Sequence, residues 1–373
     1  MTSTQCDVCI VGGGMAGASV AWHLSAHRHV VLLERESHVG YHSTGRSAAL
    51  YHPQYGSPVI RALTHASSGF FHAPPDGFGR ILSPRGALVI GRIGSEALYA
   101  RYAATAKASG QTITALTPAQ TQSIVPVLRQ ETLAWGLYDP NAMDMDVEAL
   151  LQGYLRGARG NGAQVHTGHD ITAIRRDGAD WRVTGPQIEV SAPIIVNAAG
   201  AWADTIAQLA GIKPLQLIPH RRTAFTFALP HFSDCHTWPM VADAAEQFYF
   251  KPDAGQLLGS LCEETPLAPC DAMPEDLDVA LAVDRIEQAV SFTIPRVTHS
   301  WAGLRTFGPD RNPVSGFEPT APGFYWHAGL GGYGIQTAAG ISAYAAAHIL
   351  KIEPPAALAA ASLHTALSPA RLR

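Results

Sequence analysis

The apolar positions near the start of the chain fall into two short runs on either side of a glycine-rich turn. Residues 6–11 form the first run, residues 30–33 form the second, and residues 18–26 between them have helical character. Short apolar runs bounded by glycine are typical of buried parallel strands. The pattern therefore predicts a βαβ unit at the beginning of the chain.

The turn within this unit reads Gly12-Gly13-Gly14-Met15-Ala16-Gly17, which has G-x-G-x-x-G spacing. Gly12 allows the tight turn, Gly14 lets a pyrophosphate approach the backbone, and Gly17 lets the helix pack on the strand. The helix N-terminus offers free N–H groups and a positive dipole end to phosphate. Glu34 follows the second strand, where its carboxylate can accept the hydroxyl hydrogens of a ribose. Together these features predict a dinucleotide site.

Three later segments extend the prediction from a dinucleotide to a flavin. Residues 40–49 form a Gly/Ser/Thr-rich turn that opens a small-residue helix, and a plain surface loop is the alternative. Residues 194–202 and 323–334 are apolar strands that end in small residues before helices, the second of them at 335–350. Glycines at a helix N-terminus suit the close approach of a large planar cofactor. These pieces predict one nucleotide-binding domain assembled from separate parts of the chain.

The middle of the chain has a different pattern. Residues 88–93, 223–229, 247–251 and 256–261 are strand-like and lie between Gly/Pro turns, as in an antiparallel sheet. Residues 277–292 form a candidate amphipathic helix, and residues 165–190 a small meander. The pattern predicts an α/β fold with a second, antiparallel α+β part.

Composition excludes several classes of protein. The chain has 373 residues, of which 47% are apolar and 15% charged, so it has ample material for a core and too little charge for disorder. The formal net charge of −4 lacks the basic footprint expected of a nucleic-acid partner. No apolar run reaches the roughly 20 residues of a membrane span. We therefore expect neither nucleic-acid binding nor a transmembrane segment.

Five cysteines, odd in number and scattered, favour a reduced, cytoplasmic protein. Cys6 and Cys9 have C-x-x-C spacing, but residues three apart on a strand point to opposite faces, so both are expected to be structural. His23 and His27 lie four apart on the first helix with no acidic residue to complete a metal site. No metal is predicted.

Beyond the glycine motif and residues 40–49, eight segments carry a specific resemblance: 123–129, 152–157, 196–202, 234–236, 238–240, 248–249, 301–305 and 331–337. On these residues, the sequence resembles the FAD-dependent family of glycine oxidase and D-amino-acid oxidase, and D-arginine dehydrogenase in particular. The likeness extends from residue 6 to about residue 369. It implies a Rossmann-like FAD-binding domain interleaved with an antiparallel-sheet substrate domain.

The resemblance implies domain limits and a cofactor site. The FAD-binding domain would comprise residues 1–85, 144–218 and 300–373, and the substrate domain residues 86–143 and 219–299. The implied cofactor-binding residues are Gly12, Gly14, Ala16, Gly17, Glu34, Arg35, Ser43, Thr44, Arg46, Ser47, Ala48, Ala199, Gly200, Trp202, Gly331, Tyr333, Gly334, Ile335 and Gln336. No cysteine is placed near residues 301–307 for a covalent link, so noncovalent FAD is expected, and His42 stays open as an attachment point.

An amino acid substrate needs its carboxylate held, and guanidinium groups do this with charged, bidentate hydrogen bonds. By resemblance, Arg222 and Arg305 clamp the carboxylate, although Arg221 could replace Arg222. Tyr55 and Tyr249 match positions that touch the carboxylate and close the site.

The resemblance also implies a reaction. The carbonyl of Gly332 accepts a hydrogen bond from the substrate amine, hydride leaves Cα for flavin N5, and the imine hydrolyses to a 2-oxo acid and ammonia. No side chain is assigned as a strong base. The electron acceptor stays open among O₂, a quinone and a carrier protein.

The substrate pocket departs from D-arginine dehydrogenase at three positions. Ala87 stands where that enzyme has an acidic residue that pairs the substrate guanidinium, Leu50 where it has a histidine, and His52 where it has a threonine. Met240 matches an apolar wall. Losing one charged hydrogen-bond partner removes about 1.5–3 kcal/mol. We therefore expect neutral, apolar D-amino acids to be preferred over D-arginine.

Two other functions stay open. The changes at Leu50, His52 and Ala87 are compatible with an oxidase of secondary or cyclic amino acids, of the sarcosine or proline type. A flavoprotein that only shuttles electrons is the second alternative, against which the set of Arg222, Arg305, Tyr55 and Tyr249 argues.

Overall fold

The computed structural model describes residues 2–109, 113–229 and 233–373. In chain order its strands are β1 Thr2–Gln5, β2 Val8–Val11, β3 Val30–Leu33, β4 Leu50–Tyr51, β5 Leu82–Pro84, β6 Ala87–Arg92, β7 Thr114–Leu116, β8 Leu133–Asp139, β9 Met143–Met145, β10 Gln164–His166, β11 Ala173–Asp177, β12 Asp180–Gly185, β13 Ile188–Ala192, β14 Ile194–Asn197, β15 Ile218–Phe227, β16 Met240–Asp243, β17 Tyr249–Asp253, β18 Gln256–Ser260, β19 Thr265–Pro266, β20 Val297–Phe307, β21 Val314–Phe317 and β22 Phe324–Ala328.

The α-helices are α1 Met15–Ser25, α2 Pro58–His72, α3 Glu96–Ser109, α4 Pro118–Ile124, α5 Val147–Gly160, α6 Ala203–Leu209, α7 Asp276–Ala289, α8 Ala338–Leu350 and α9 Ala361–Leu367. None of these helices, within the described ranges, has the length and apolarity that a bilayer crossing demands.

A six-stranded sheet carries the predicted βαβ unit. Its order is β10-β3-β2-β14-β22-β21, and only the edge strand β21 runs antiparallel to its neighbour. Helices α1, α5 and α8 pack on one face, and α6 with a four-stranded sheet packs on the other. Because both faces are covered, β2 and β3 are buried along their whole length, which is why they appear as unbroken apolar runs.

A nine-stranded sheet forms the second layer system. Its order is β19-β15-β18-β17-β16-β6-β8-β7, with β20 paired to β15, and all of these pairs are antiparallel except β16 with β6. Helix α7 packs its buried residues Ala282 and Ile286 against Phe225 and Phe227. The antiparallel sheet and the helix predicted for the middle of the chain are therefore present.

Two smaller sheets complete the fold. Strands β11, β12 and β13 form the predicted meander, to which β1 adds a fourth, parallel strand. Strands β4, β9 and β5 form a three-stranded sheet between the two large ones. Asp144 on β9 binds both Arg85 (2.6 Å) and Lys251 of β17 (2.8 Å), so a largely buried ion cluster joins this small sheet to the nine-stranded sheet.

The helix predicted within residues 40–49 is wrong, because residues 41–46 form turns and residues 47–49 have no regular structure. The N–H of Gly45 donates to the carbonyl of Gly40 (2.7 Å) within these turns, while other polar groups of the segment bond to β20. Ser43 Oγ donates to the carbonyl of Leu304 (2.6 Å), and the indole of Trp301 donates to the carbonyl of Arg46 (3.0 Å). These bonds hold the segment against β20 in place of a helix.

The arrangement of the two N-terminal cysteines also differs from the prediction. Cys6 precedes β2, which begins only at Val8, so the face alternation of a strand does not apply to the pair, and both thiols enter one apolar cluster. Burial raises the pKa of Cys6 to about 12 and that of Cys9 well above its ordinary value. Both are free, protonated thiols, and the structural role expected for them stands.

The limits of the two predicted domains stay a prediction. Their ranges include Met1 and residues 110–112 and 230–232, which lie outside the described residues.

Candidate functional site

One continuous cavity extends from the carboxyl ends of the parallel strands to a face of the nine-stranded sheet. The predicted site residues that line it are Gly12, Gly14, Ala16, Glu34, Arg35, Ser43, Thr44, Arg46, Ser47, Ala48, Leu50, His52, Tyr55, Ala199, Gly200, Trp202, Arg222, Met240, Tyr249, Arg305, Gly331, Gly332, Gly334, Ile335 and Gln336. Gly17, Ala87 and Tyr333 are not among the lining residues, although Ala87 pairs with the lining residue Met240 and Tyr333 contacts the lining residue Tyr55. The carboxyl edge of a parallel sheet is where such folds bind nucleotides.

The turn between β2 and α1 requires glycine by its geometry. Gly12 has φ of +110°, and a Cβ there would lie 2.4 Å from the carbonyl oxygen of Ala198. A Cβ on Gly17 would lie 1.8 Å from the carbonyl oxygen of Gly12. Gly14 and Ala16 line the cavity, and their N–H groups have no acceptor within the described part of the chain. The start of α1 is thus open to an anion.

Glu34 has a second role besides the predicted one. Its buried carboxylate accepts hydrogen bonds from the N–H of Gly13 (2.7 Å) and of Glu36 (2.9 Å). A carboxylate has about four lone-pair positions, so Glu34 can shape the glycine turn and still accept ribose hydroxyls. Beside it, the Arg35 guanidinium lies 4.8 Å over the Trp202 ring, and both residues line the cavity.

Residues 40–49 line the cavity rather than the outer surface. Thr44 Oγ1 accepts a hydrogen bond from the N–H of Met15 at the start of α1 (3.0 Å). The Arg46 guanidinium donates to the carbonyls of Ala272 and Ala302 and pairs with Asp271. This segment therefore connects the glycine turn to β20 along one wall of the cavity.

Two buried side chains offer polar atoms that no described residue satisfies. Gln336 accepts a hydrogen bond from the N–H of His52 at Oε1 (3.1 Å), but its Nε2 has no acceptor. His327 contacts Ser315 through Nδ1 (3.2 Å), while its Nε2 is unpartnered. Burial lowers the pKa of His327 to about 4, so the ring is neutral. Both residues line the cavity, and such orphaned groups fit the polar edge of a flavin.

Arg305 is the central charge of the substrate end. It lies on β20, and among the residues that the structure describes its guanidinium has neither a carboxylate nor a hydrogen-bond partner. It presses on Gly332, where a Cβ would lie 2.9 Å from the Arg305 Cζ atom. An unpaired, half-buried guanidinium facing a cavity is a site for a carboxylate.

Tyr249 faces the same part of the cavity from β17. Burial raises the pKa of Tyr249, against the opposing charges of Arg305 and Arg222, so the phenol keeps its proton and can donate it to an anion. Tyr55 is 40% exposed and stands at the cavity opening, with its ring 5.1 Å from that of Tyr333.

The two neighbouring arginines of β15 diverge, because successive residues of a strand point to opposite faces. Arg222 lines the cavity, donates from Nε to the carbonyl of Glu263 (2.9 Å) and lies 3.6 Å from Glu264. Arg221 is buried on the other side in ion pairs with Glu275 and Asp278. Arg221 therefore does not take the place of Arg222.

Several lining residues carry no signal in the sequence. Cys262 lies beside Arg222 and Tyr249, and burial raises the pKa of its thiol to about 11. Glu246 stands exposed at the rim. Asp139, at the end of β8, approaches the lining residue His52. None belongs to a motif, and only the pairing of distant strands places them here.

The chain is similar in sequence to several known proteins. The family model described as DAO, FAD dependent oxidoreductase, matches residues 7–348. Human mitochondrial sarcosine dehydrogenase is 25% identical over 90% of this chain and 38% of its own length. Rat mitochondrial dimethylglycine dehydrogenase is 27% identical over 94% of this chain and 44% of its own length. The chain thus spans less than half of these relatives.

A crystal structure of glycine oxidase from Geobacillus kaustophilus superposes with a TM-score of 0.82. It is 22% identical in sequence, and the match covers 94% of this chain and 96% of that one. This likeness concerns the fold and agrees with two interleaved sheet systems around one cavity. The family model, together with the glycine turn, the open start of α1 and the orphaned polar atoms, leads to one conclusion: the chain belongs to the DAO family of FAD-dependent oxidoreductases, and FAD is its cofactor.

Proposed function

We propose that this protein catalyses the oxidative deamination of a D-amino acid to a 2-oxo acid and ammonia. The observation that carries the proposal is the unpaired Arg305 guanidinium, which faces the cavity between the glycine-rich segment at Gly332 and the phenol of Tyr249. The names of the related sarcosine and dimethylglycine dehydrogenases support the broader class of amino acid oxidation.

The chain's own residues bind and orient the substrate. Arg305 provides two parallel N–H donors for the carboxylate, and Tyr249 adds a third from its phenol. Arg222 adds positive charge, reduced by its contact with Glu264. The carbonyl of Gly332 accepts a hydrogen bond from the amine. Bound FAD supplies the acceptor for the hydride that leaves the substrate Cα.

The side-chain part of the cavity favours neutral substrates. Its walls include the apolar residues Leu50, Val89, Met240 and Ala242. A buried carboxylate in this part of the lining, Asp243, already accepts the N–H groups of Ala245 and Gln247. Ala87 lies on the same face of β6 as Val89 and offers no carboxylate to a guanidinium. Glu246 is an exposed rim residue, where an ion pair contributes only about 0–1 kcal/mol. We therefore propose a preference for neutral, apolar D-amino acids over D-arginine.

A second candidate is the oxidation of secondary or cyclic amino acids. The two curated relatives named above act, by their names, on N-methylated glycines. The same Arg305 clamp would hold their carboxylate. The difference lies only in what occupies the space around the amine.

The test is anaerobic flavin reduction by the FAD-loaded protein, measured as bleaching of the flavin absorption. The panel contains D- and L-forms of neutral amino acids, D-arginine, sarcosine and proline. The proposal expects the fastest reduction by a neutral D-amino acid. Fastest reduction by sarcosine or proline selects the second candidate, and fastest reduction by D-arginine contradicts the preference. If no compound reduces the flavin, the result supports the alternative of a flavoprotein that only carries electrons. Where a substrate does reduce the flavin, the rates of its re-oxidation by O₂ and by a quinone identify the electron acceptor.

The missing charge at position 87 has its own test. Ala87→Glu should increase activity on D-arginine relative to D-alanine about tenfold, because it adds one charged hydrogen-bond partner. Ala87→Gln adds the same volume without the charge and should leave the ratio of the two activities near that of the unmodified protein. An equal response to both substitutions would contradict the alignment of this position.

A further inference from the structure

A histidine and a carboxylate form a pair in the cavity that the proposed function does not yet use. His52 follows β4 and lines the cavity, and Asp139, at the end of β8, is only 2% exposed. His52 Nε2 lies 3.4 Å from Asp139 Oδ2, at the outer limit of a hydrogen bond. Within residues 2–109, 113–229 and 233–373, Oδ2 forms no well-aligned hydrogen bond, so the approach of His52 is a close polar contact.

The backbone holds His52 against the segment that carries the amine acceptor. The N–H of His52 donates to Gln336 Oε1 (3.1 Å), four residues beyond Gly332. The His52 ring is stacked with that of Tyr55 at 6.2 Å and 7°, and Tyr55 in turn contacts Tyr333, the neighbour of Gly332. Contacts on two sides therefore hold the imidazole at the cavity wall, next to the segment that contains Gly332.

Asp139 determines which nitrogen of the ring is free. Burial alone would raise the pKa of Asp139, but the nearby His52 ring and the hydrogen bond from the N–H of Asn141 (2.9 Å) more than offset it and hold the pKa below its ordinary value. A carboxylate can only accept hydrogen bonds, so the 3.4 Å contact favours the His52 tautomer with its hydrogen on Nε2. Nδ1 then bears a lone pair, and it has no partner among the described residues.

The other titratable groups around the substrate end are poor proton acceptors. Tyr249 and Tyr333 have raised pKa values because they are buried, and the Cys262 thiol has a pKa of about 11. Arg222 and Arg305 are cations, and Glu246 is at the exposed rim. The buried carboxylate of Asp243 also lines the cavity, but it already accepts the N–H groups of Ala245 and Gln247. Two titratable groups are in direct contact with the His52 ring, namely Tyr55, which stacks on it, and Asp139, which approaches its Nε2 atom.

We propose that His52 is the catalytic base that takes the proton from the substrate ammonium group, with Asp139 as its positioning residue. The proposal rests on the proposed function. One N–H bond of the ammonium breaks, its electron pair stays on nitrogen, and the proton binds Nδ1 of His52. Asp139 stabilises the imidazolium that results. The amine lone pair then forms the second C–N bond as hydride leaves Cα, and His52 returns its proton to solvent.

The test compares His52→Gln with the unmodified protein by anaerobic flavin reduction over a range of pH, using D-alanine and D-valine. A general base contributes roughly 100-fold or more, so near pH 7 we expect a loss of about 100-fold for both substrates. The loss should disappear as the pH rises above the ammonium pKa of the substrate, because the substrate then reaches the enzyme already deprotonated and needs no base. Asp139→Asn should lose about tenfold and shift the pH profile. His65→Gln, an exposed change on α2, is the matched control.

Three results would overturn the proposal, each in a distinct way. A loss that is the same at every pH shows a structural role for His52. A loss confined to one of the two substrates shows that His52 recognises the side chain. Weaker binding of acetate, which has a carboxylate and no ammonium, shows that His52 acts in the carboxylate site. Acetate binding is measured by the change it causes in the flavin absorption spectrum. Failure of the proposed function itself appears separately, as no flavin reduction in the unmodified protein.

Discussion

The two ends of the cavity are built in different ways. At the proposed cofactor end, the cavity is lined by backbone atoms of tight glycine turns, as at Gly12 and Gly14. At the proposed substrate end, it is lined by long side chains, such as Arg305 and Tyr249, that project from strands of the antiparallel sheet. A backbone site depends on a few consecutive residues. A side-chain site depends on how distant strands pair. The two ends should therefore fail separately when they are mutated.

The largest expected effect comes from a substitution that impairs the substrate end and leaves the cofactor end intact. Arg305→Met should lower the rate of flavin reduction per substrate concentration about 1,000-fold, because two charged hydrogen bonds of roughly 2 kcal/mol each are lost. The FAD content and melting temperature should change little. Arg305→Lys keeps the charge without the paired donors, so its rate of flavin reduction should lie between those of Arg305→Met and the unmodified protein. A parallel loss of FAD would show that Arg305 also supports the cofactor end.

The converse experiment breaks the cofactor end. Gly17→Ala places a Cβ 1.8 Å from the carbonyl oxygen of Gly12, so the helix must move away from the turn. Forcing atoms into a packed site costs about 3 kcal/mol. We expect a lower free energy of unfolding in denaturant titration and FAD loss on gel filtration.

Gly160→Ala is the matched control for that experiment. Gly160 is also helical and exposed, at the end of α5, but nothing lies within 4 Å of its Cβ position. Alanine there should be neutral or slightly stabilising. Equal destabilisation by both substitutions would contradict the role assigned to Gly17.

The third effect concerns acid. Burial lowers the pKa of both His23 and His327 to about 4, against an ordinary value of 6.5. Between pH 6.5 and pH 4 the two histidines therefore bind protons in the unfolded chain but not in the folded chain. The free energy of unfolding has its full value above pH 6.5 and decreases as the pH falls toward 4. The loss should be about 2 kcal/mol per histidine at pH 5 and reach about 3 kcal/mol at pH 4.

Unfolding midpoints at pH 7, 6 and 5 measure this dependence. His327→Phe should weaken the dependence of stability on pH, because it replaces one of the two buried imidazoles by a ring that binds no proton. His65→Gln, an exposed change, should leave the dependence unaltered. A slope that is the same in all three proteins would place the acid sensitivity elsewhere.

The smallest effect tests the side chain that belongs to the cofactor end. Glu34→Gln removes the negative charge that accepts the N–H groups of Gly13 and Glu36. FAD should bind about tenfold more weakly, as measured by titration of the apoprotein, because one charged hydrogen bond becomes neutral. Reduction of the fully loaded enzyme by substrate should be unchanged. A change in that rate would mean that the two ends are coupled.

Prediction from sequence was strongest where contacts are local. Residues 30–33 are the strand β3 as predicted, and the glycine motif begins a helix on a buried parallel strand. It was weakest where bonds connect distant segments. The helix expected within residues 40–49 is absent because Ser43 and Arg46 bond to β20, more than 250 residues away. Local propensity cannot include that competition.

The sequence by itself determined the glycine turn, the parallel strands and the family of the chain, because each is encoded by neighbouring residues with fixed backbone needs. Only the tertiary structure decided that Arg222 and not Arg221 faces the cavity, and that Arg305 remains unpaired there. It also placed Asp139 opposite Ala87 in the pairing of β6 with β8, next to His52. The physical reason is that strand pairing fixes side-chain neighbours at distances along the chain where spacing carries no information.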